Sequence, residues 1–156
     1  MIKVNVEIDN KSWHKKIQRP QKYFNKKLRK ISLLTRLFKN KNIVFTILLT
    51  NSLNIKKLNK KFRKRNKTTD VLSFPFFSSK NLSLVNENNI YIGDIAVCYE
   101  IINKRSKKNS FILEFDKVWV HGFLHLLGYD HLKHKEFKKM IHEEQKIFKS
   151  IEKILN

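Results

Sequence analysis

A single domain mixing strands and helices is what this chain predicts: a small, mostly four-stranded sheet packed with about five helices. Three observations lead there. The length, 156 residues, suits one domain with a core of its own. Four short segments have the alternation or β-branched content of strands, and longer ones repeat their apolar residues at helical spacing. No internal repeat or long low-complexity linker divides them, so residues 1–156 are read as one domain.

Residues 2–8 (IKVNVEI) alternate apolar and polar and read as a strand. Residues 20–39 open with Pro20, whose fixed φ suits the first helical position, and carry Phe24, Leu28, Ile31, Leu34, Leu37 and Phe38 at three-to-four spacing. That is an amphipathic helix with a basic outer face. Residues 43–50 (IVFTILLT) form a short β-branched run expected to be a central strand, after which Ser52 is the candidate cap of a second helix reaching about Phe62. Residues 71–77 (VLSFPFF) and 90–98 (IYIGDIAVC) are two further strands, separated by a polar Asn/Ser-rich segment at 78–89. Pro75 cannot donate to a ladder, so the first of these lies at an edge or ends early. Residues 111–127 (FILEFDKVWVHGFLHLL), with Ser110 as candidate cap, are apolar around nearly the whole circumference and predict a core helix. Residues 134–155 place Phe137, Met140, Ile141, Ile147, Phe148, Ile151 and Ile154 on one stripe, an amphipathic closing helix.

Composition bounds the function. Cys98 stands alone, which excludes an intramolecular disulfide and a thiolate metal cage, fits a reducing compartment and leaves the thiol as core filler. The N-terminus lacks the basic start and apolar block of a leader, and no apolar run approaches the roughly 20 residues that span a bilayer. A soluble cytoplasmic protein without a membrane partner is expected. The net charge of +21, from 34 Lys and Arg against 13 Asp and Glu, attracts polyanions, of which nucleic acid is the natural candidate. Against this, 28 of the 34 cations are Lys and the chain is crowded with Asn, Ile and Phe, as AT-rich coding sequence produces; a merely solvated Lys-rich surface is the alternative.

The stretch HGFLHLLGYDH, residues 121 to 131, sets three histidines on an otherwise apolar segment. On a helix His121 and His125 lie one turn apart on one face, the separation at which two imidazoles meet one metal ion. Gly128 can take the left-handed conformation that ends a helix and turns the chain back, so that His131 arrives as a third donor. Three neutral nitrogens leave the fourth tetrahedral position of a zinc ion for water, the arrangement of a catalytic site. Other divalent transition metals also suit three imidazoles. The spacing His-x3-His-x2-Gly-x2-His is shared with metzincin proteases, but their general base, a Glu after the first His, is here Gly122, which moves no proton. A zinc peptidase therefore lacks its base. Asp130 either orients a ligand imidazole, accepts a proton from metal-bound water, or is a turn residue. His134 and His142 are read as solvated.

A second constellation is LNKKFRKRNKTTDVLSFP, residues 58–75, in which Arg63 and Arg65 are two of only six arginines. Arg supplies the planar fork that grips a phosphate, although either one alone is more simply a surface cation. Leu58, Asn59 and Arg63, then Thr69 to Pro75, Gly93 to Ile95 and His121 to His131 together resemble the YbeY family of bacterial rRNA-maturation endoribonucleases, in order and spacing from about residue 43 to the C-terminus. In two places the chain departs from the family's pattern: Lys64 stands where Gly is often found, and Thr68 where Pro is frequent before Thr69. The resemblance implies an α+β fold, one zinc-type ion on His121, His125 and His131, and Arg63 as essential for RNA cleavage. It further implies processing of the small-subunit rRNA 3′ end, a part in ribosome quality control, and single-stranded RNA and the ribosomal small subunit or its proteins as partners, with no small-molecule cofactor. The rival reading is a non-catalytic ribosome-assembly RNA-binding factor whose metal is structural.

Overall fold

The alternating N-terminal residues form strand β1 (Ile2–Ile8), with Ile2 and Val4 turned into the core. The computed structural model describes residues 1–34, 41–82, 85, 88–131 and 133–152. Among them β1 is followed by a short 3-10 helix (Lys11–Lys15), α1 (Pro20–Leu34), β2 (Asn42–Thr50), α2 (Ser52–Arg63) and β3 (Val71–Pro75). A one-turn helix α3 (Ser79–Leu82), β4 (Asn89–Cys98), α4 (Tyr99–Arg105), α5 (Phe111–Leu126) and α6 (His134–Glu152) complete the order. Leu37, Phe38 and Ile154, assigned to apolar stripes from the sequence, lie outside the described residues.

The strands form one mixed sheet in the order β1-β2-β4-β3. β1 and β4 flank β2 in parallel, and β3 runs antiparallel to β4. β2 is thus interior, as its β-branched run predicts, and buries Ile43, Phe45, Ile47 and Leu49 on one face. Pro75 both closes β3 and belongs to an edge strand, where its missing N–H costs no ladder bond. Between Val44 and Phe45 the register slips by one residue of β4, and Gly93 there has φ 130°. A Cβ on Gly93 would lie 2.2 Å from the Phe74 carbonyl oxygen, so only glycine lets β3 and β4 meet at this bulge.

α5 lies against β3 and β4 on one face of the sheet and is buried on most sides, as its composition requires. α1 joins it through the edge-on rings of Phe24 with Phe115 and Trp119, at centroid distances of 5.7 and 5.4 Å. Within this aromatic layer Asp116 accepts from Lys27 Nζ, the Tyr23 hydroxyl and, at 2.8 Å, Trp119 Nε1. The ion pair is buried, with side-chain exposures of 7% for Lys27 and 5% for Asp116. The opposite face carries a smaller cluster of Ile55, Leu72, Ala96 and Cys98, in which the lone thiol is core filler.

Local differences from the sequence reading have local causes. Asn51, not Ser52, caps α2: its side chain accepts the Asn54 N–H at 2.9 Å, and Ser52 is the first helical residue. Ser110 occupies the cap position of α5 with extended backbone but makes no side-chain cap bond. α4 follows β4 at once from Cys98, a residue with no capping oxygen, so no start signal marked it.

α2 ends on Lys64 in the left-handed conformation, φ 58°, the described non-glycine residue with positive φ. A side chain there costs about 1–2 kcal/mol, which glycine avoids while losing more entropy on folding. Lys64→Gly is therefore expected to stabilise the protein by about 0.5–1 kcal/mol, read as a higher urea midpoint at unchanged slope. A lower midpoint would contradict the strain at this cap.

Candidate metal centre

The apolar sequence of α5 fixes its orientation on the sheet, and that orientation turns His121 and His125 to the helix side that neither strand covers. α5 stops at Leu126, where Gly128, at φ 85°, donates its N–H to the His125 carbonyl at 3.0 Å and Tyr129 donates to Leu124 at 3.0 Å. This paired closure satisfies the last helical carbonyls and reverses the chain. His131 then arrives beside the first two rings. The ring centroids are 4.7 Å (His121 to His125), 5.7 Å (His121 to His131) and 5.1 Å (His125 to His131) apart. One nitrogen from each lies within 4.8 Å of the others.

The hydrogen bonds decide which nitrogens face inward. His125 Nδ1 lies 2.9 Å from the Tyr129 carbonyl oxygen, and His121 Nδ1 lies 2.7 Å from Glu144 Oε1. A carbonyl and a carboxylate only accept, so both neutral rings carry their proton on Nδ1. With both rings neutral, the two Nε2 atoms, 3.1 Å apart, present lone pairs to each other. A cation between them resolves that repulsion. Two nitrogens on a tetrahedral zinc ion, each at about 2.0–2.1 Å, lie roughly 3.4 Å apart, close to the spacing here. Burial, and then the neighbouring His121, hold His125 below the ordinary imidazole range, against the opposing pull of the Tyr129 carbonyl. The ring consequently stays neutral, and able to ligate, to lower pH than a free imidazole. Three neutral imidazoles fit zinc or a similar divalent transition metal and do not suit calcium or magnesium, which take oxygen.

Glu144 was not foreseen in the sequence. It projects from α6, between Met140 and Ile147, on the stripe that faces α5. A carboxylate on an otherwise apolar stripe was the available signal. Holding a ligand's outer nitrogen fixes its tautomer and raises its basicity, so Glu144→Gln is expected to weaken metal binding about 10–100-fold. Competition against a chromophoric chelator measures this; unchanged affinity would remove Glu144 from the site.

Gly122 lies against the sheet. A Cβ there would meet Ile95 Cγ2 at 3.0 Å and Ser73 Oγ and Val71 Cγ2 at 3.1 Å. A glutamate in this position, as in the metzincins, would be driven into β3 and β4. The peptidase arrangement is therefore blocked by packing as well as by chemistry.

Arg63 is the last residue of α2 and reaches the β3 edge, where its Nη2 donates to the Ser73 carbonyl at 2.9 Å. The Ser73 hydroxyl donates to the Gly122 carbonyl at 3.1 Å, so two hydrogen bonds link the guanidinium to the residue after His121. The loop behind Arg63 is held by buried Asn59, whose Nδ2 donates to the Lys67 carbonyl at 2.8 Å and whose own carbonyl accepts from Arg65 N–H at 3.2 Å. Asp70 Oδ2 meets Arg105 Nη1 at 2.5 Å, tying the start of β3 to α4. Asp130 Oδ1 accepts the backbone N–H of His131 at 2.7 Å, the bond of a turn residue. His134 and His142 are exposed, as the sequence suggested.

A sequence profile of the family described as endoribonuclease YbeY matches residues 7–152. A protein of Pelagibacter ubique named endoribonuclease YbeY is 50% identical over 155 residues, spanning 97% of either chain. A relative of the same name from Buchnera aphidicola is 41% identical, covering 92% of this chain and 84% of its own. The solution structure of TM1509 from Thermotoga maritima superposes with a TM-score of 0.60 at 26% identity, over 97% of this chain and 89% of that one. With its three-histidine turn, its Arg63 loop and its mixed sheet in place, the chain belongs to the YbeY family.

Proposed function

We propose that this protein is a cytoplasmic, single-strand-specific, metal-dependent endoribonuclease that acts in maturation of the small-subunit rRNA 3′ end and in ribosome quality control. The observation that carries this reading is the convergence of three imidazoles, one nitrogen of each within 4.8 Å of the others, with the Nε2 atoms of His121 and His125 facing each other at 3.1 Å. The name endoribonuclease borne by the relatives supports RNA as the substrate. Among the described residues no helix is long and apolar enough to cross a membrane.

His121, His125 and His131 would hold one zinc ion or a similar divalent ion. When bound, it supplies Lewis acidity toward a phosphodiester and activates water near neutral pH. Glu144 and the Tyr129 carbonyl hold the outer protons of His121 and His125, which keeps both rings oriented with Nε2 inward. Arg63 has spent one donor on Ser73 and offers its others to phosphate oxygens, offsetting the charge that builds there. Asp130 fixes the turn through His131 and is assigned acceptance of the nucleophile's proton. The exposed cations of residues 60–67 attract the strand without choosing its sequence. Selection of the cleavage site falls to a partner, the ribosomal small subunit or one of its proteins.

The test is incubation of the purified protein with one RNA in single-stranded and in duplex form, with and without chelator, beside Arg63→Ala. Cleavage of the single strand alone, lost on chelation and in the variant, is expected, together with unprocessed small-subunit rRNA 3′ ends in cells that carry the variant. Binding without cleavage, indifferent to chelator, would instead mark an assembly factor with a structural ion.

A further inference from the structure

We infer that Phe62, in the last turn of α2, is a stacking platform for an unpaired base of the strand whose phosphate Arg63 holds; the inference rests on the nuclease reading above. Phe62 is 54% exposed, so its ring contributes little to the core. It is nevertheless held in place: its ring meets that of Phe74 at 5.2 Å and 67°, an edge-on contact. Arg63, the next residue, is bonded to the carbonyl of Ser73, which precedes Phe74. Ring and guanidinium are therefore fastened to consecutive residues of edge strand β3, one strand step of about 3.3 Å apart.

Charge selects this ring over the exposed rings of Phe76 and Tyr91. From Lys56 to Lys67 the chain carries eight cations and no carboxylate. Lys61 Nζ itself lies 5.1 Å from the Phe62 centroid, a cation that a phosphate can draw off as a base takes its place on the ring. Tyr91, by contrast, donates to Asp94 at 2.6 Å, and Phe76 has its ring 6.2 Å from Tyr91, beside a carboxylate that repels phosphate. An exposed, anchored aromatic in a positive field is the pairing that sequence-tolerant single-strand binders use. Bases in a duplex are not free to stack on it, which gives the proposed enzyme a physical reason to choose single strands.

The experiment measures anisotropy of two labelled 12-mers, one of 2′-O-methyl uridine and one of abasic residues with the same number of phosphates, against wild type, Phe62→Ala and Phe62→Trp. Wild type is expected to prefer the uridine strand. Phe62→Ala should weaken binding to that strand roughly tenfold and leave the abasic strand unaffected. Phe62→Trp should restore affinity, and its indole should be quenched by the uridine strand, a signal readable because Trp13 and Trp119 are each 0% exposed. Equal affinity of wild type and Phe62→Ala for uridine, or an equal loss on both strands, would overturn the platform while leaving the nuclease reading intact. Failure of wild type to bind either strand would overturn both.

Discussion

Replacing His125 by alanine is expected to abolish zinc binding and reduce RNA cleavage to background. The loss is large because three donors make up the site among the described residues, and the ring removed is the one nearest both other imidazoles, at 4.7 and 5.1 Å. Two imidazoles do not retain a zinc ion against competing buffer and water. The fold should survive, since His125 is half-buried and its loss breaks one bond, to the Tyr129 carbonyl, worth about 0.5–1.5 kcal/mol. Metal content by mass spectrometry, circular dichroism and cleavage of a single-stranded RNA are the readouts. His134→Ala, the removal of an exposed imidazole, is the matched control and should match wild type in all three. Full metal content in His125→Ala would remove the proposed centre.

The largest effect on stability is expected at Asp116. Truncation to alanine leaves the Lys27 ammonium buried without its counter-charge and orphans the Tyr23 hydroxyl and Trp119 Nε1 together. Breaking such a pair by removing one partner costs about 3–5 kcal/mol, against a total stability of about 5–15 kcal/mol for an ordinary domain. Burial, and then Asp116, push the Tyr23 hydroxyl well above its ordinary range, so with Asp116 in place it remains a donor throughout the working pH range. Lys27→Met should cost less, because Tyr23 and Trp119 still donate to the carboxylate that remains. Urea unfolding of the three proteins gives the ranking, wild type above Lys27→Met above Asp116→Ala. The reverse order of the two variants would show that the ammonium, not the carboxylate, organises the cluster.

The elements that the sequence made legible are those in which a single pattern decides the outcome. β1 is pure alternation, and Pro75 marks an edge because it cannot donate. α5 had to be central because no polar face was left to turn outward, and its histidines therefore had to share whatever side the sheet left open. What stayed hidden depends on pairs. Glu144 and Lys27 each interrupt an apolar stripe, yet a stripe alone does not say which partner waits opposite; His121 and Asp116 become partners only when α6 and α1 dock on α5. Arg63 was legible as a phosphate-gripping type but not as a residue anchored to Ser73, since that bond depends on how the left-handed cap at Lys64 turns the loop. α4 was missed for want of a cap, and the choice of Asn51 over Ser52 turned on which side chain the strand exit aims at the first free N–H groups.

The three-histidine centre is tested most sharply by X-ray absorption at the zinc edge of the purified, zinc-loaded protein. One ion per chain, with three imidazole nitrogens at about 2.0–2.1 Å and one exchangeable light atom completing the shell, is the expected result. A sulfur ligand, a fourth imidazole or protein carboxylate in the shell, or no bound zinc at one equivalent, would contradict it.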